Sequence, residues 1–364
     1  MSKMPLLLLL LLMLVFPGAR AAAGPASQRL GPDAFRKEFT SAFQEGNGEK
    51  MDTLSLSHRD FLRPLVEVLL DEYSREFARF RGSGSDQALQ LARAVAERAG
   101  RMSDDPFPLR QVSVYGSWSL SQHGLKARAD ACAAEARAAL KQGRYNDVAP
   151  RASAAYNLYR DLADVECHSD MLHILGQAER QLANYEAAIG WHERGLRLAK
   201  ESRDRRGLGR ALIDLGDVYE RQKDRKKATE LYRQALATLK VPQEWQETGR
   251  ALRQLGDVDV ATGDLEQAYQ AYSRALTYAE TADDTAFIAE YNDYLGYFHR
   301  RLGDFDEAVT LHRRALEAAG RIPVWAARIP ARARALNHLG LCMAELAEKA
   351  VTGGEPEKAR AYMK

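Results

Sequence analysis

The chain has 364 residues, enough for two ordinary domains, and carries 52 Lys and Arg against 50 Asp and Glu. Such a balance argues against non-specific binding to nucleic acid or to an anionic membrane as its main purpose. Three cysteines are too few for a disulfide scaffold and leave at least one thiol unpaired.

The first 23 residues have the pattern of an export signal. Lys3 is followed by an apolar run from Leu6 to Phe16 and then by small residues that end in Ala21-Ala22-Ala23. The run is shorter than the roughly 20 residues that a membrane span needs, and an A-x-A cleavage site follows it. We therefore predict a signal peptide over residues 1–23 and an exported mature protein, periplasmic or secreted, with no membrane contact after cleavage. An uncleaved anchor is the alternative.

Residues 24–125 are predicted to form an N-terminal helical capping region. The stretches Asp33 to Phe80 and Asp86 to Arg101 have helical patterns, but neither contains the Leu-Gly pair that recurs further along the chain. They are interrupted by Gly82-Ser83-Gly84-Ser85 and by residues 104–108, which are rich in turn-forming residues.

A Leu-Gly pair recurs along the rest of the chain. Three successive steps are 40 residues long and the fourth is 44. The glycines of these pairs are Gly176, Gly216, Gly256, Gly296 and Gly340. A fixed period of 20 to 50 residues indicates one supersecondary unit stacked on copies of itself, because a single unit cannot bury its own apolar face.

Each unit is predicted to be a pair of helices. Apolar and small residues fall at helical spacing before and after a turn, and in two units that turn is Gly263-Asp264 or Gly303-Asp304. A glycine inside a helix costs roughly 1 kcal/mol relative to alanine, so its recurrence at one position needs a steric reason. We predict that all five glycines let the first helix cross closely over the second. The expected contacts are alanines twelve residues later, namely Ala188, Ala228, Ala268 and Ala308.

Leu215-Gly216, Tyr219, Ala228, Tyr232 and Ala235 resemble the tetratricopeptide repeat. The 40-residue step is similar to that of the LGN/Pins-like adaptors, the kinesin light chains and bacterial repeat proteins. The resemblance implies an all-α helical solenoid of antiparallel helix pairs in a right-handed superhelix. The predicted array covers residues 126–364 with about six repeats, of which the first is degenerate and the last incomplete.

The sequence contains none of the common enzyme and cofactor motifs: it has no phosphate-binding loop, His-Glu-x-x-His, Gly-x-Ser-x-Gly or Cys-x-x-Cys. His338 and Cys342 share a helix face, but two ligands do not make a structural zinc site. His192 and His312 occupy the position of Tyr232 in its repeat, so we interpret them as packing variants. The sequence therefore predicts neither an enzyme nor a cofactor or metal.

The resemblance implies that the inward face of the first helices binds a protein or an extended peptide. The residues this selects are His173, Gln177, Arg180, Arg210, Asp217, Arg221, Arg250, Arg253, Asp257, Asp293, Tyr297, Arg300 and Arg301. Arginines and aspartates alternate among them, which suits a ligand with both charges. The structural alternative is intrahelical pairing, as between Asp217 and Arg221.

The leading functional hypothesis is thus a non-enzymatic scaffold for protein interactions. A second hypothesis takes the chain as the sensor arm of a larger effector enzyme, for example a CHAT-type peptidase, whose catalytic domain would follow residue 364. It is motivated by the predicted incomplete last repeat.

Overall fold

The computed structural model describes residues 30–80, 86–103, 105–323 and 325–362. Over these residues the protein contains seventeen α-helices, one 3₁₀ turn and no strand. None of the described helices combines the length and the apolar character needed to cross a membrane. The predicted signal peptide at residues 1–23 lies outside the described part of the chain.

The chain divides into two compact units, Met1–His58 and Arg59–Lys364. The described part of the first unit is a helical hairpin of α1 (Pro32–Gln44) and α2 (Gly48–Ser57). Asn47 caps α2 by accepting a hydrogen bond from the backbone N–H of Lys50 at 3.0 Å. Phe35 and Phe39 are buried, and the ring of His58 stacks on Phe35 at 5.1 Å.

The second unit opens with α3 (Arg59–Phe80), α4 (Asp86–Ser103) and α5 (Phe107–Gly116). The helical stretch predicted over residues 33–80 is thus three helices. It is broken where Gly46 adopts a left-handed φ of 67° and again at His58, whose φ and ψ are not helical.

Six helix pairs follow along the chain. In order they are α6 (Leu120–Lys141) with α7 (Val148–Asp161), α8 (Val165–Gln181) with α9 (Tyr185–Ser202), α10 (Arg205–Arg221) with α11 (Arg225–Thr238), α12 (Trp245–Thr262) with α13 (Leu265–Ala282), α14 (Thr285–Leu302) with α15 (Phe305–Gly320), and α16 (Trp325–Thr352) with α17 (Pro356–Tyr362). The prediction of an all-α helical solenoid is confirmed.

The turns inside the pairs have the predicted left-handed residue. Gly263 and Gly303 have φ values of 89° and 77°, as the sequence indicated. Ala183 and Lys223 adopt the same conformation, with φ of 61° and 68°, although each carries a side chain. Asp224, which follows Lys223, caps α11 through the backbone N–H of Lys227 at 3.1 Å. The pair geometry is therefore kept where glycine is missing.

Four of the recurring glycines lie at close helix crossings, but the partner is an aromatic ring rather than the predicted alanine. A Cβ added to Gly256 would lie 2.7 Å from Cε1 of Tyr272, and one added to Gly296 would lie 2.7 Å from Cε1 of His312. Gly176 and Gly216 face His192 and Tyr232 in the same way. In each pair the ring comes sixteen residues after the glycine. The alanines predicted as partners are also buried.

Gly340 has no such crossing, and for it the prediction is wrong. No heavy atom lies within 4 Å of the Cβ it would carry, whereas the other four glycines have a ring against them. Helix α16 is 28 residues long, so its turn at Gly354 comes fourteen residues after Gly340 instead of seven. The glycine is therefore displaced from the crossing, and no aromatic ring opposes it.

These two environments give a matched test of the crossing. Gly256→Ala places a methyl group against Tyr272 and should lower the free energy of unfolding by about 1–3 kcal/mol through overpacking. Gly340→Ala meets open space and should raise it by about 0.5–1 kcal/mol, because alanine is the better helix former. Denaturant unfolding of both variants beside the parent measures the difference, and equal effects of the two substitutions would contradict the crossing.

A buried histidine makes stability depend on pH. Burial lowers the pKa of His192 to about 4, from an ordinary 6.5, although the nearby Asp214 raises it. The unfolded chain binds a proton at His192 below pH 6.5, whereas the folded chain does not bind it until about pH 4. His192 therefore lowers the free energy of unfolding by nothing above pH 6.5 and by an increasing amount as the pH falls toward 4. The expected loss is about 3 kcal/mol.

His192→Tyr isolates this contribution, because Tyr232 and Tyr272 hold the same position in their repeats. We expect the variant to lose less stability than the parent between pH 7 and pH 4 in denaturant unfolding. An unchanged pH profile would show that His192 does not titrate in this range.

Candidate functional site

The first helices α8, α10 and α12 line a polar cleft of about 400 Å³. Its lining is Gln177, Arg180, Asp217, Glu220, Arg221, Arg250, Arg253, Gln254 and Asp257. Seven of these residues are among those selected from the sequence. Glu220 and Gln254 were not selected, although each lies three residues from a selected residue of the same helix and therefore on nearly the same face.

The aspartates of the cleft are already engaged within the protein. Asp217 accepts hydrogen bonds from the hydroxyl of Tyr232 at 2.9 Å and from the side-chain amide of Gln254. Asp257 accepts one from Tyr272 at 2.7 Å and pairs with Arg253 at 2.8 Å. Both carboxylates thus hold the second helix of their own pair, and Asp217, which also pairs with Arg250 and has a side chain only 6% exposed, has little capacity left for a ligand.

Asp214 on α10 links three first helices, because it forms hydrogen bonds with residues of both α8 and α12. Its side chain is only 4% exposed, and it accepts hydrogen bonds from Nδ1 of His173 on α8 and from Arg250 on α12, the latter at 2.6 Å. Burial raises the pKa of Asp214, but His173 and Arg250 outweigh burial and hold that pKa well below its usual range. This carboxylate is ionised and part of the scaffold.

The guanidinium groups of two arginines of the cleft, Arg180 and Arg221, form no hydrogen bond or ion pair with any residue in the part of the chain that the structure describes. Arg180 is half-buried and Arg221 is exposed. With the aspartates engaged, the charged side chains of the cleft that lack a partner among the described residues are these two guanidinium groups and the carboxylate of Glu220, so positive charge exceeds negative charge by one. The cleft is therefore suited to carboxylate or other anionic groups.

The remaining predicted groove residues lie outside this cleft. Arg210 pairs with Asp170 at 2.5 Å, and Arg300 pairs with Glu345 at 2.7 Å. Arg301 and Tyr297 are exposed on α14. Asp293 is buried, where it faces His312 and His338 rather than the solvent.

A second cavity, of about 320 Å³, lies between the N-terminal helices of the second unit and the repeats. Arg63 on α3 reaches across it to Glu166 at 2.5 Å and to Asp204, which precedes α10, at 2.8 Å. Burial raises the pKa of Glu166 to about 7, although Arg63 acts in the opposite direction. Nothing in the sequence indicates this cavity, because the pairs of Arg63 with Glu166 and Asp204 join residues 103 and 141 positions apart.

Two further hydrogen bonds join the N-terminal helices of the second unit to the repeats. The hydroxyl of Tyr115 donates to Asp164, the residue before α8, at 2.8 Å, and Arg205 donates to the carbonyl of Ser103 at 2.8 Å. The N-terminal ends of α8 and α10 are thus held by α3, α4 and α5. These helices position one end of the array that forms the cleft.

Arg250 pairs with the buried Asp214, whereas Arg221 has no ion pair in the described chain. We therefore expect substitution of Arg250, but not of Arg221, to lower the free energy of unfolding. Arg250→Ala would leave the buried Asp214 with His173 as its remaining partner and should lower the free energy of unfolding by about 2–3 kcal/mol. Arg221→Ala removes an exposed side chain without an ion pair, so its effect should stay within about 0.5 kcal/mol. Denaturant midpoints compare the two, and equal midpoints would show that Arg250 is not structural.

The sequence pattern described as tetratricopeptide repeat matches residues 167–240 and 247–321. These two stretches cover the four helix pairs from α8 to α15, which carry the glycine crossings and the cleft. Residues 167–240 and 247–321 are thus tetratricopeptide repeats, as the sequence resemblance implied, and repeats of this class are suited to scaffolding protein interactions.

Several solved structures resemble the chain. BtubC (BKLC) from P. vanneervenii is 20% identical, with 64% of this chain and 87% of BtubC covered and a TM-score of 0.47. The apo form of RapI is 15% identical, with coverage of 82% and 94% and a TM-score of 0.44. The apo form of the quorum sensor NprR from B. thuringiensis is 15% identical, with coverage of 82% and 96% and a TM-score of 0.45. No curated protein matches the chain.

Proposed function

We propose that the protein is a non-enzymatic interaction scaffold that binds an acidic segment of a partner protein in the cleft of α8, α10 and α12. The observation that supports this proposal is which charged side chains of the cleft already have a partner within the protein. Asp217 and Asp257 are satisfied by tyrosines of their own repeats, whereas Arg180 and Arg221 have no ion pair in the described chain.

The cleft also suits a segment rather than a small molecule. It extends across three consecutive first helices, and its surface is almost entirely polar. A chain segment with carboxylates spaced along it can satisfy Arg180 on α8 and Arg221 on α10 together, with Gln177 available for backbone hydrogen bonds. This narrows the hypothesis drawn from the sequence, in which the aspartates were also expected to contact the ligand.

We further propose that the scaffold acts outside the cytoplasm, since residues 1–23 have the pattern of a signal peptide. N-terminal sequencing of the exported protein tests this step. A mature N-terminus just after Ala23 is the expected result, and retention of Lys3 and the apolar run would favour the anchor.

Selection from a random peptide library on the immobilised protein tests the cleft. We expect the enriched peptides to be rich in Asp and Glu and their binding to weaken as salt rises, because the contacts are ionic. The variant with Arg180→Glu and Arg221→Glu should bind these peptides at least tenfold more weakly, because like charges then face each other.

A matched control reverses charge elsewhere in the same repeats. Arg197 and Arg233 are exposed on the second helices α9 and α11 and do not line the cleft. Arg197→Glu with Arg233→Glu changes the net charge equally and should leave peptide binding close to the parent's. Equal loss in both double variants would show that net charge rather than the cleft captures the peptides.

A further inference from the structure

A cluster of two imidazoles and one carboxylate lies beside α14, apart from the cleft. Asp293 on α14, His312 on α15 and His338 on α16 bring one ligand atom each to within 4.8 Å of one another. Nδ1 of His312 is 2.9 Å and Nδ1 of His338 is 3.0 Å from Oδ1 of Asp293. We propose that these three side chains bind a divalent metal ion, with Zn²⁺ as the preferred ion.

The geometry is close to that of a metal site. With bonds of about 2.0–2.2 Å, neighbouring ligand atoms lie roughly 3.0 Å apart in an octahedral arrangement and roughly 3.4 Å apart in a tetrahedral one. The observed 2.9 and 3.0 Å therefore require an outward shift of a few tenths of an ångström. Two imidazoles with one carboxylate are a ligand set that zinc accepts, with water in the fourth position.

The surrounding packing fixes the ligands and leaves one side open. His312 is fully buried and its ring lies flat against Gly296, where any Cβ would collide with it. The side chain of Asp293 is 8% exposed, while that of His338 is 25% exposed and gives the ion a path from solvent. Two of the three ligands are thus held rigidly before the ion arrives.

Arg334 is the group that the ion would displace. Its Nε lies 3.3 Å from Oδ2 of Asp293, and its side chain is 46% exposed, so it can move into solvent. In the metal-free protein Arg334 balances the charge of the carboxylate. Removing it should therefore make metal binding tighter, an effect that a merely structural histidine pair would not produce.

When Nδ1 of His312 binds a metal ion, the ring proton must lie on Nε2 instead. At that position the proton has no hydrogen-bond acceptor. That nitrogen is buried and without a hydrogen bond in the described chain. A buried N–H without an acceptor opposes binding. We therefore expect zinc to bind more weakly here than at a site where that nitrogen donates to an acceptor.

The chain offers a matched control in a second cluster of the same composition. His173, His192 and Asp214 also come from three neighbouring helices, but Nδ1 of His192 is 3.8 Å from Asp214, and Arg250 pairs with that carboxylate at 2.6 Å. Arg250 is thus already paired with the carboxylate that a metal ion would need as its ligand. This second cluster should not bind zinc.

Equilibrium dialysis of the chelator-treated full chain against Zn²⁺ tests the proposal. The parent and His173→Ala should each bind one ion per chain, whereas His338→Ala should bind at least tenfold more weakly. Arg334→Ala should bind several-fold more tightly, and because Arg334 is exposed this variant tests the site even if His338→Ala is poorly folded by circular dichroism. No stoichiometric binding by the parent, equal binding by a folded His338→Ala, or weaker binding by Arg334→Ala would overturn the site.

Discussion

The contact between a glycine of the first helix and an aromatic ring of the second is the constraint on which the rest of the repeat structure depends. At Gly176, Gly216, Gly256 and Gly296 the ring occupies the space of the missing side chain. Because the ring lies against the first helix, its hydroxyl or imidazole nitrogen is carried under that helix, where an apolar surrounding would leave it unsatisfied. At three of the four crossings an aspartate meets this need: Asp217 for Tyr232, Asp257 for Tyr272 and Asp293 for His312, whereas Nδ1 of His192 is 3.8 Å from Asp214.

The carboxylates that meet this need determine the charge of the cleft. Asp217 and Asp257 accept from the tyrosines behind them, so their negative charge is directed inward. Arg250 is in turn drawn to the buried Asp214 of the preceding repeat. The charged groups of the cleft that keep no partner in the described chain are Arg180, Arg221 and Glu220. The cleft therefore presents two positive groups and one negative group to a partner, although arginines and aspartates alternate along its sequence.

The fold was predictable from the sequence to the extent that it is periodic. The Leu-Gly spacing located the helix pairs, and Gly263 and Gly303 located their turns, because a glycine with left-handed φ is a local requirement. The partner of each glycine was not predictable from spacing, since both an alanine and an aromatic residue follow at plausible distances. Which of the two crosses the glycine depends on how the second helix is rotated.

The site was predictable in its location but not in its charge state. Position relative to Leu-Gly selected seven residues of the cleft, because helical geometry fixes which face they share. Whether a given arginine is free depends on residues far along the chain, such as Glu345 for Arg300. The cavity behind Arg63 was missed for the same reason. Long-range ion pairs leave no periodic trace in a sequence.

The exchange of tyrosine for histidine at the crossing moves the carboxylate as well. Tyr232 and Tyr272 reach the residue directly after their glycine, which is aspartate in both repeats. An imidazole is shorter, and where His312 stands the acceptor is Asp293, three residues before Gly296. That position also faces the next first helix, so His338 can share the same carboxylate. The cluster between two repeats therefore requires a histidine at the crossing, an aspartate three residues before the glycine and a histidine on the next first helix, whereas the repeat of His192 has His173 at the second of these positions.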